Sequence, residues 1–138
     1  MADLRRWRKI WLLAVIPVLL MTGCGKNEKD QERREVEFTV MALDEVPREL
    51  AEEIEANKQG EIRMSYMDGG FLYLIRGYGE QKTGGYSISV AECTEDDTAV
   101  YLDTRLIGPS NQEQLSKESS WPCLILKMEA REKEVVIE

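Results

Sequence analysis

Between Glu61 and Glu138, turn signals cut the chain into short runs that alternate apolar and polar residues. That pattern restricts the fold more than any other feature. "EIRMSYM" and "FLYLIRGY" flank Asp68-Gly69-Gly70, a tight-hairpin signature. "GYSISVAECTE" and "TAVYLDTRLIG" flank Asp96-Asp97. A polar loop from Pro109 to Ser120, in which "NQEQLSKESS" has room for a turn of helix, leads to "WPCLILKMEA" and then "EVVIE". Upstream, Val36, Phe38 and Val40 alternate in "VEFTVMAL" and read as one further strand. Next, "DEVPRELAEEIEANKQG" predicts a single helix. Pro47 suits a first helical position, acids crowd the first turns and Gly60 ends it. Val46, Leu50 and Ile54 form an apolar stripe that must lie against a core. The fold class is therefore mainly β: an antiparallel β-sandwich or half-barrel of about six to seven strands with one N-terminal amphipathic helix.

The N-terminus has a different character. Arg5, Arg6, Arg8 and Lys9 precede the apolar run Ile10–Met21, which is short for a bilayer span and is interrupted by Pro17. Residues 1–23 read as a signal peptide. "MTGCGKN" resembles the lipobox of bacterial lipoproteins, with small Thr22 and Gly23 before Cys24 and with Met21 where leucine is commoner. On that reading Cys24 is diacylated and starts the mature chain, and two acyl chains suffice to anchor it to the outer face of a membrane. A plain secretory peptide, or an uncleaved anchor, with an incidental cysteine is the alternative. Residues 24–35 are almost wholly polar and read as a disordered tether, which leaves 36–138 as the domain. The net charge is −8, and about −11 without residues 1–23, so nucleic acid is excluded as a partner by repulsion of its phosphates.

The chemistry-bearing residues are few. The chain has no histidine, so the commonest general base and metal ligand is missing. No serine sits in a G-x-S-x-G elbow, and "DGG", "GYG" and "TGG" precede strands, so no helix N-terminus is offered to a phosphate. "CTEDDT" lacks the alternate-position spacing of a calcium loop and reads as a solvated hairpin turn. No catalytic constellation, metal set or cofactor is implied. Outside the cytoplasm Cys93 and Cys123 could pair, or each could pack as a small hydrophobe in its apolar run. What stands out is Gly77, Gly79, Gly84 and Gly85 within nine residues, interleaved with Tyr78 and Tyr86. Clustered glycines mark a bend, a bulge or a close-contact site. With Thr83 and the Trp121-Pro122 pair they form the candidate partner-binding patch; the alternative is that Tyr86 and Trp121 cap the ends of the core.

"GYGEQKTGGYSISV", "VYLDTRLIGPS" and "WPCLILKM" together resemble the C-terminal domain of the PrcB family of protease-complex subunits. The family's Thr-Gly-Gly-Tyr-Ser entry to a strand is matched by Thr83–Ser87, and its late aromatic-Pro by Trp121-Pro122, with Cys123 where a larger residue is usual. The resemblance extends over Val36 to Glu138. It implies a non-enzymatic extracytoplasmic lipoprotein, an accessory subunit that associates with and stabilises a secreted or cell-surface protease of the subtilisin-like kind. A weaker similarity links Gly77-Tyr78-Gly79, Thr83–Tyr86 and Trp121-Pro122 to the three loops of chagasin-type protease inhibitors, although the third motif lacks its arginine. Direct inhibition, and a structural envelope role with no protease, are the alternatives.

Overall fold

A computed structural model describes residues 32–110 and 117–138. The expected signal peptide, Cys24, most of the expected tether and the stretch 111–116 lie outside the described residues. Two four-stranded sheets face each other. The first has the order β1 (Arg34–Glu35), β5 (Ser87–Glu95), β6 (Ala99–Ile107), β8 (Glu134–Ile137). The second has the order β2 (Thr39–Val40), β7 (Cys123–Glu129), β4 (Phe71–Tyr78), β3 (Glu61–Asp68). Among the described residues there is one α-helix, α1 (Arg48–Asn57), which follows a 3-10 turn at Leu43–Glu45.

Two apolar clusters explain the layering. Between the sheets, Leu72 and Leu74 of β4 and Leu124, Leu126 and Met128 of β7 pack with Cys93, Val100 and Leu102 of the first sheet. On the outer face of the second sheet, Tyr73, Ile75, Ile125 and Ile62 pack beneath Leu50 and Ile54 of α1. Strands β4 and β7 are thus buried on both faces, which is why "FLYLI" and "CLIL" are continuous apolar runs rather than alternating ones. Burying each of Leu50 and Ile54 stabilises the helix against the sheet by about 1.5–3 kcal/mol. The β3–β4 hairpin turns at Gly69 (φ 58°) and Gly70 (φ 83°), as the Asp-Gly-Gly signal predicts.

The structure corrects three expectations. Val36–Leu43 is not one strand. Pairing begins at Arg34, two residues inside the expected tether, where Arg34 and Glu35 sit opposite Glu95 and Thr94. The chain then crosses to the other sheet, where Thr39 and Val40 pair with Lys127 and Leu126. Only Val36 is buried, while Phe38 and Val40 are 38% and 59% exposed, because a crossing segment has no single inward face. Second, the first sheet is mixed: β8 runs parallel to β6, from Ala99 opposite Glu134 to Leu102 opposite Ile137. A parallel neighbour needs a crossover, and here the intervening strand β7 lies in the other sheet. The register of β5 against β6 also shifts between Val90 and Glu92, leaving Ala91 as a bulge.

The third correction concerns the Asp96-Asp97 turn. It is a hairpin turn, yet Asp96 is buried rather than solvated. Its Oδ1 accepts the backbone N–H groups of Thr98 (2.8 Å) and Ala99 (2.9 Å), and its Oδ2 accepts the Tyr101 hydroxyl (2.8 Å). Bonds from Thr98, Tyr101 and Ala99 hold the carboxyl well below the usual carboxylate range. A depressed folded-state pKa stabilises the fold above the unfolded value and loses that contribution as pH falls towards the folded one. Acidification below about pH 4 is therefore expected to destabilise the wild-type protein, with Asp96→Asn giving a shallower acid limb in denaturation curves taken from pH 7 to pH 2. Identical limbs would show that this turn carries no proton linkage.

Candidate functional site

The loop after β4 and the segment before β7 are joined at one end of the sandwich. Tyr78 N donates to Pro122 O (3.1 Å), and Gln81 and Ser120 exchange backbone hydrogen bonds of 2.8 and 3.0 Å. The Ser120 hydroxyl donates to Thr83 O (2.6 Å). Glu80 N also donates to Gln59 O (3.2 Å), which ties the loop to the segment after α1. The residues singled out from the sequence therefore meet in part: Tyr78, Thr83, Trp121 and Pro122 share one hydrogen-bonded end.

Their side chains do different things. Tyr78 lies under the guanidinium of Arg76 at 3.9 Å, and its hydroxyl bonds Thr104 Oγ1 of the opposite sheet (2.5 Å). Tyr78 is thereby committed to the sandwich interior. Arg76 is itself buried: Nη1 donates to Gly77 O (2.7 Å), Nη2 lies 3.5 Å from Glu61 Oε1, and Nε has no partner. Tyr86 is half-buried, with its ring close to Gly108. Thr83, Gly84 and Pro122 are half-buried, and Gly85 is exposed. Trp121 keeps 37% of its surface exposed, with Lys58 Nζ 4.7 Å from its ring centre. The double glycine is first of all a turn. Gly85 has φ 83°, so Gly85→Val is expected to cost about 1–2 kcal/mol in thermal or urea unfolding. Wild-type stability in that variant would count against a left-handed turn.

Cys93 and Cys123 are free thiols. The pairing left open by the sequence is absent because Cys93 packs between the sheets while Cys123 packs on the helix side of the second sheet. Burial pushes both thiols up to about 11. In a Cys24→Ser background, both should resist a maleimide at pH 7 in native buffer and react fully in denaturant. Non-reducing mass spectrometry showing a two-proton loss would overturn this.

The opposite end carries an open groove that sequence patterning does not reveal. It has a volume of about 980 Å³ and lies where the β1-to-β2 crossing passes the start of β4 and the end of β7. Phe38 and Phe71 remain 38% and 37% exposed there, over a base that includes buried Val36 and Met128. Lys127 Nζ stands 3.9 Å from the Phe71 ring centre. The available signals were weak: Phe38 sits in an alternating run that reads as core, and Phe71 directly follows a turn.

Comparison with known proteins bears on the inner part of this architecture. A family model described as PrcB C-terminal matches residues 72–129. That stretch of the chain is similar to the C-terminal domain of the PrcB family. Searches among curated proteins and among solved structures return no match. The PrcB segment is narrower than the resemblance over Val36 to Glu138, and its limits have a structural meaning. It runs from β4 to β7 and so supplies the two inner strands of each sheet, β5 with β6 and β7 with β4. Strands β1, β2, β3, β8 and helix α1 lie outside the matched stretch. The Thr83–Tyr86 turn and Trp121-Pro122 lie within it, whereas the Phe38 wall of the groove lies outside it.

Proposed function

We propose that this chain is a non-enzymatic accessory subunit that associates with and stabilises an extracytoplasmic protease, of the subtilisin-like kind, at the outer face of a membrane. The observation that carries the reading is the PrcB C-terminal match on the inner strands of both sheets, a domain of protease-complex subunits. The absence of histidine from the sequence is in keeping with a role in binding rather than catalysis. Anchoring falls to lipid on Cys24, and the exposed Trp121 with the adjacent turn Thr83–Tyr86 is the partner-facing patch. The test is in-cell crosslinking from a photoreactive residue at Tyr86 or Trp121, followed by mass spectrometry. Capture of a secreted protease whose lifetime shortens when this chain is deleted supports the proposal. Capture of neighbours that never include a protease would sink it. Separately, Cys24→Ser is expected to release the protein from the membrane fraction, and unchanged retention would refute lipid anchoring.

A second reading, inhibition of a papain-like protease, is favoured by one observation: the Gly77–Gly79, Thr83–Tyr86 and Trp121-Pro122 motifs converge on one end of the sandwich. Against it, Gly77 lies inside β4 and Tyr78 is turned inward. Incubation of the purified chain with papain separates the readings, since a stabilising subunit leaves the rate unchanged. An envelope lipoprotein with a purely structural role would show neither capture nor inhibition.

A further inference from the structure

We infer that the groove between the β1-to-β2 crossing and the end of β7 is a docking site for an extended basic segment of a partner protein, seating one bulky apolar side chain between flanking lysines or arginines. Two features define the occupant. The first is apolar: Phe38 and Phe71 present a third or more of their surface to solvent beside half-buried Met41. Apolar rings set in a concave, polar-rimmed surface are characteristic of interaction sites.

The second feature is charge. Glu35, Glu37, Glu45, Glu95 and Glu129 line the groove, against Lys127 and Arg131. Both neighbouring cations of the β7–β8 turn are spent on one acid: Arg131 Nη1 lies 2.9 Å and Lys133 Nζ 3.1 Å from Glu95 Oε2. Lys127 rests on the Phe71 ring. Among the described residues Glu35, Glu37, Glu45 and Glu129 form no ion pair. Glu45 Oε1 accepts only the backbone N–H of Ala42 (3.0 Å), so the groove pairs an apolar seat with a rim whose acids outnumber its two cations, the complement of a basic-apolar segment and repulsive to an acidic one. A second copy of this chain, itself strongly acidic, is a poor occupant by the same argument.

The inference deepens the accessory-subunit reading by naming a surface, and rests on it only for the partner's identity. The probe is a fluorescein-labelled peptide with one phenylalanine flanked by two lysines on each side. It is titrated by anisotropy into the full chain in non-ionic detergent. Phe38→Ser and the pair Glu37→Lys/Glu129→Lys are each expected to weaken binding about ten-fold or more. The exposed helix pair Glu49→Lys/Glu53→Lys, which alters net charge equally, should change it less than about two-fold. A peptide with serine in place of phenylalanine should bind as weakly as the Phe38→Ser variant does. Equal losses in the two charge-reversed pairs, indifference to Phe38→Ser, or equal binding of the serine peptide would overturn the inference. So would groove-dependent self-association in sedimentation velocity. Peptide failure alongside capture of a protease from Tyr86 or Trp121 would remove the groove and leave the accessory-subunit reading; peptide binding without protease capture would do the reverse.

Discussion

Leu126→Ala is expected to lower the unfolding free energy by about 3 kcal/mol, within a range of roughly 2–5 kcal/mol for such truncations. Leu126 is fully buried at the middle of β7, opposite Leu74 of β4 on one side and Val40 of β2 on the other. Its side chain points between the sheets, where it joins Leu72, Leu74, Val100 and Leu102. Removing it opens a void that two hydrogen-bonded sheets cannot close by local collapse. Urea denaturation monitored by tryptophan fluorescence should show a lower midpoint with an unchanged slope. Leu126→Met, which nearly conserves volume, should cost less than about 1.5 kcal/mol. A loss below about 1 kcal/mol for Leu126→Ala would mean that the sheets do not pack face to face at this point.

The second large effect is expected at Gly79. Its φ of 74° is in the left-handed region, and a Cβ there would lie 3.1 Å from the carbonyl oxygen of Gln59. That oxygen is already fixed by the N–H of Glu80 at 3.2 Å. Gly79→Val combines backbone strain of about 1–2 kcal/mol with overpacking against backbone, for a total loss of about 3 kcal/mol. Gly60 is the internal comparison, because nothing lies within 4 Å of a Cβ added there and its φ is not left-handed. Gly60→Ala should stay within about 0.5 kcal/mol of wild type. Equal, small effects at both positions would show that the contact between the Gly79 loop and the α1 exit is loose.

These two positions also show why the glycine cluster could not be interpreted from sequence alone. Gly77, Gly79 and Gly85 look alike in "GYGEQKTGGY", but each answers a different constraint. Gly77 lies within β4, where a Cβ would be 3.1 Å from that of Ile62. Gly79 lets the loop pass Gln59, and Gly85 takes φ 83° in the turn before β5. Composition marks the region as special without saying whether ligand, backbone or neighbouring side chain made it so. The Tyr78 ring is a similar case. Its place among glycines suggested a partner-facing surface, yet its fate was set by Thr104, distant in sequence and brought opposite by the packing of the two sheets.

The local part was legible in the sequence: one helix within Asp44–Gly60, which the structure confines to Arg48–Asn57 with Pro47 as its N-cap, the Gly69-Gly70 hairpin, the four long strands and the last two, and the mainly β class. Those follow from periodicity, capping and turn chemistry, which act between residues a few positions apart. Only the tertiary structure decided how those elements meet. It set β8 parallel to β6, divided Val36–Leu43 between two sheets, separated Cys93 from Cys123 and left Phe38 and Phe71 at the mouth of a groove. The physical reason is that an apolar residue specifies burial or contact but not the partner. Partner choice depends on which faces remain uncovered once β4 and β7 have been buried on both sides.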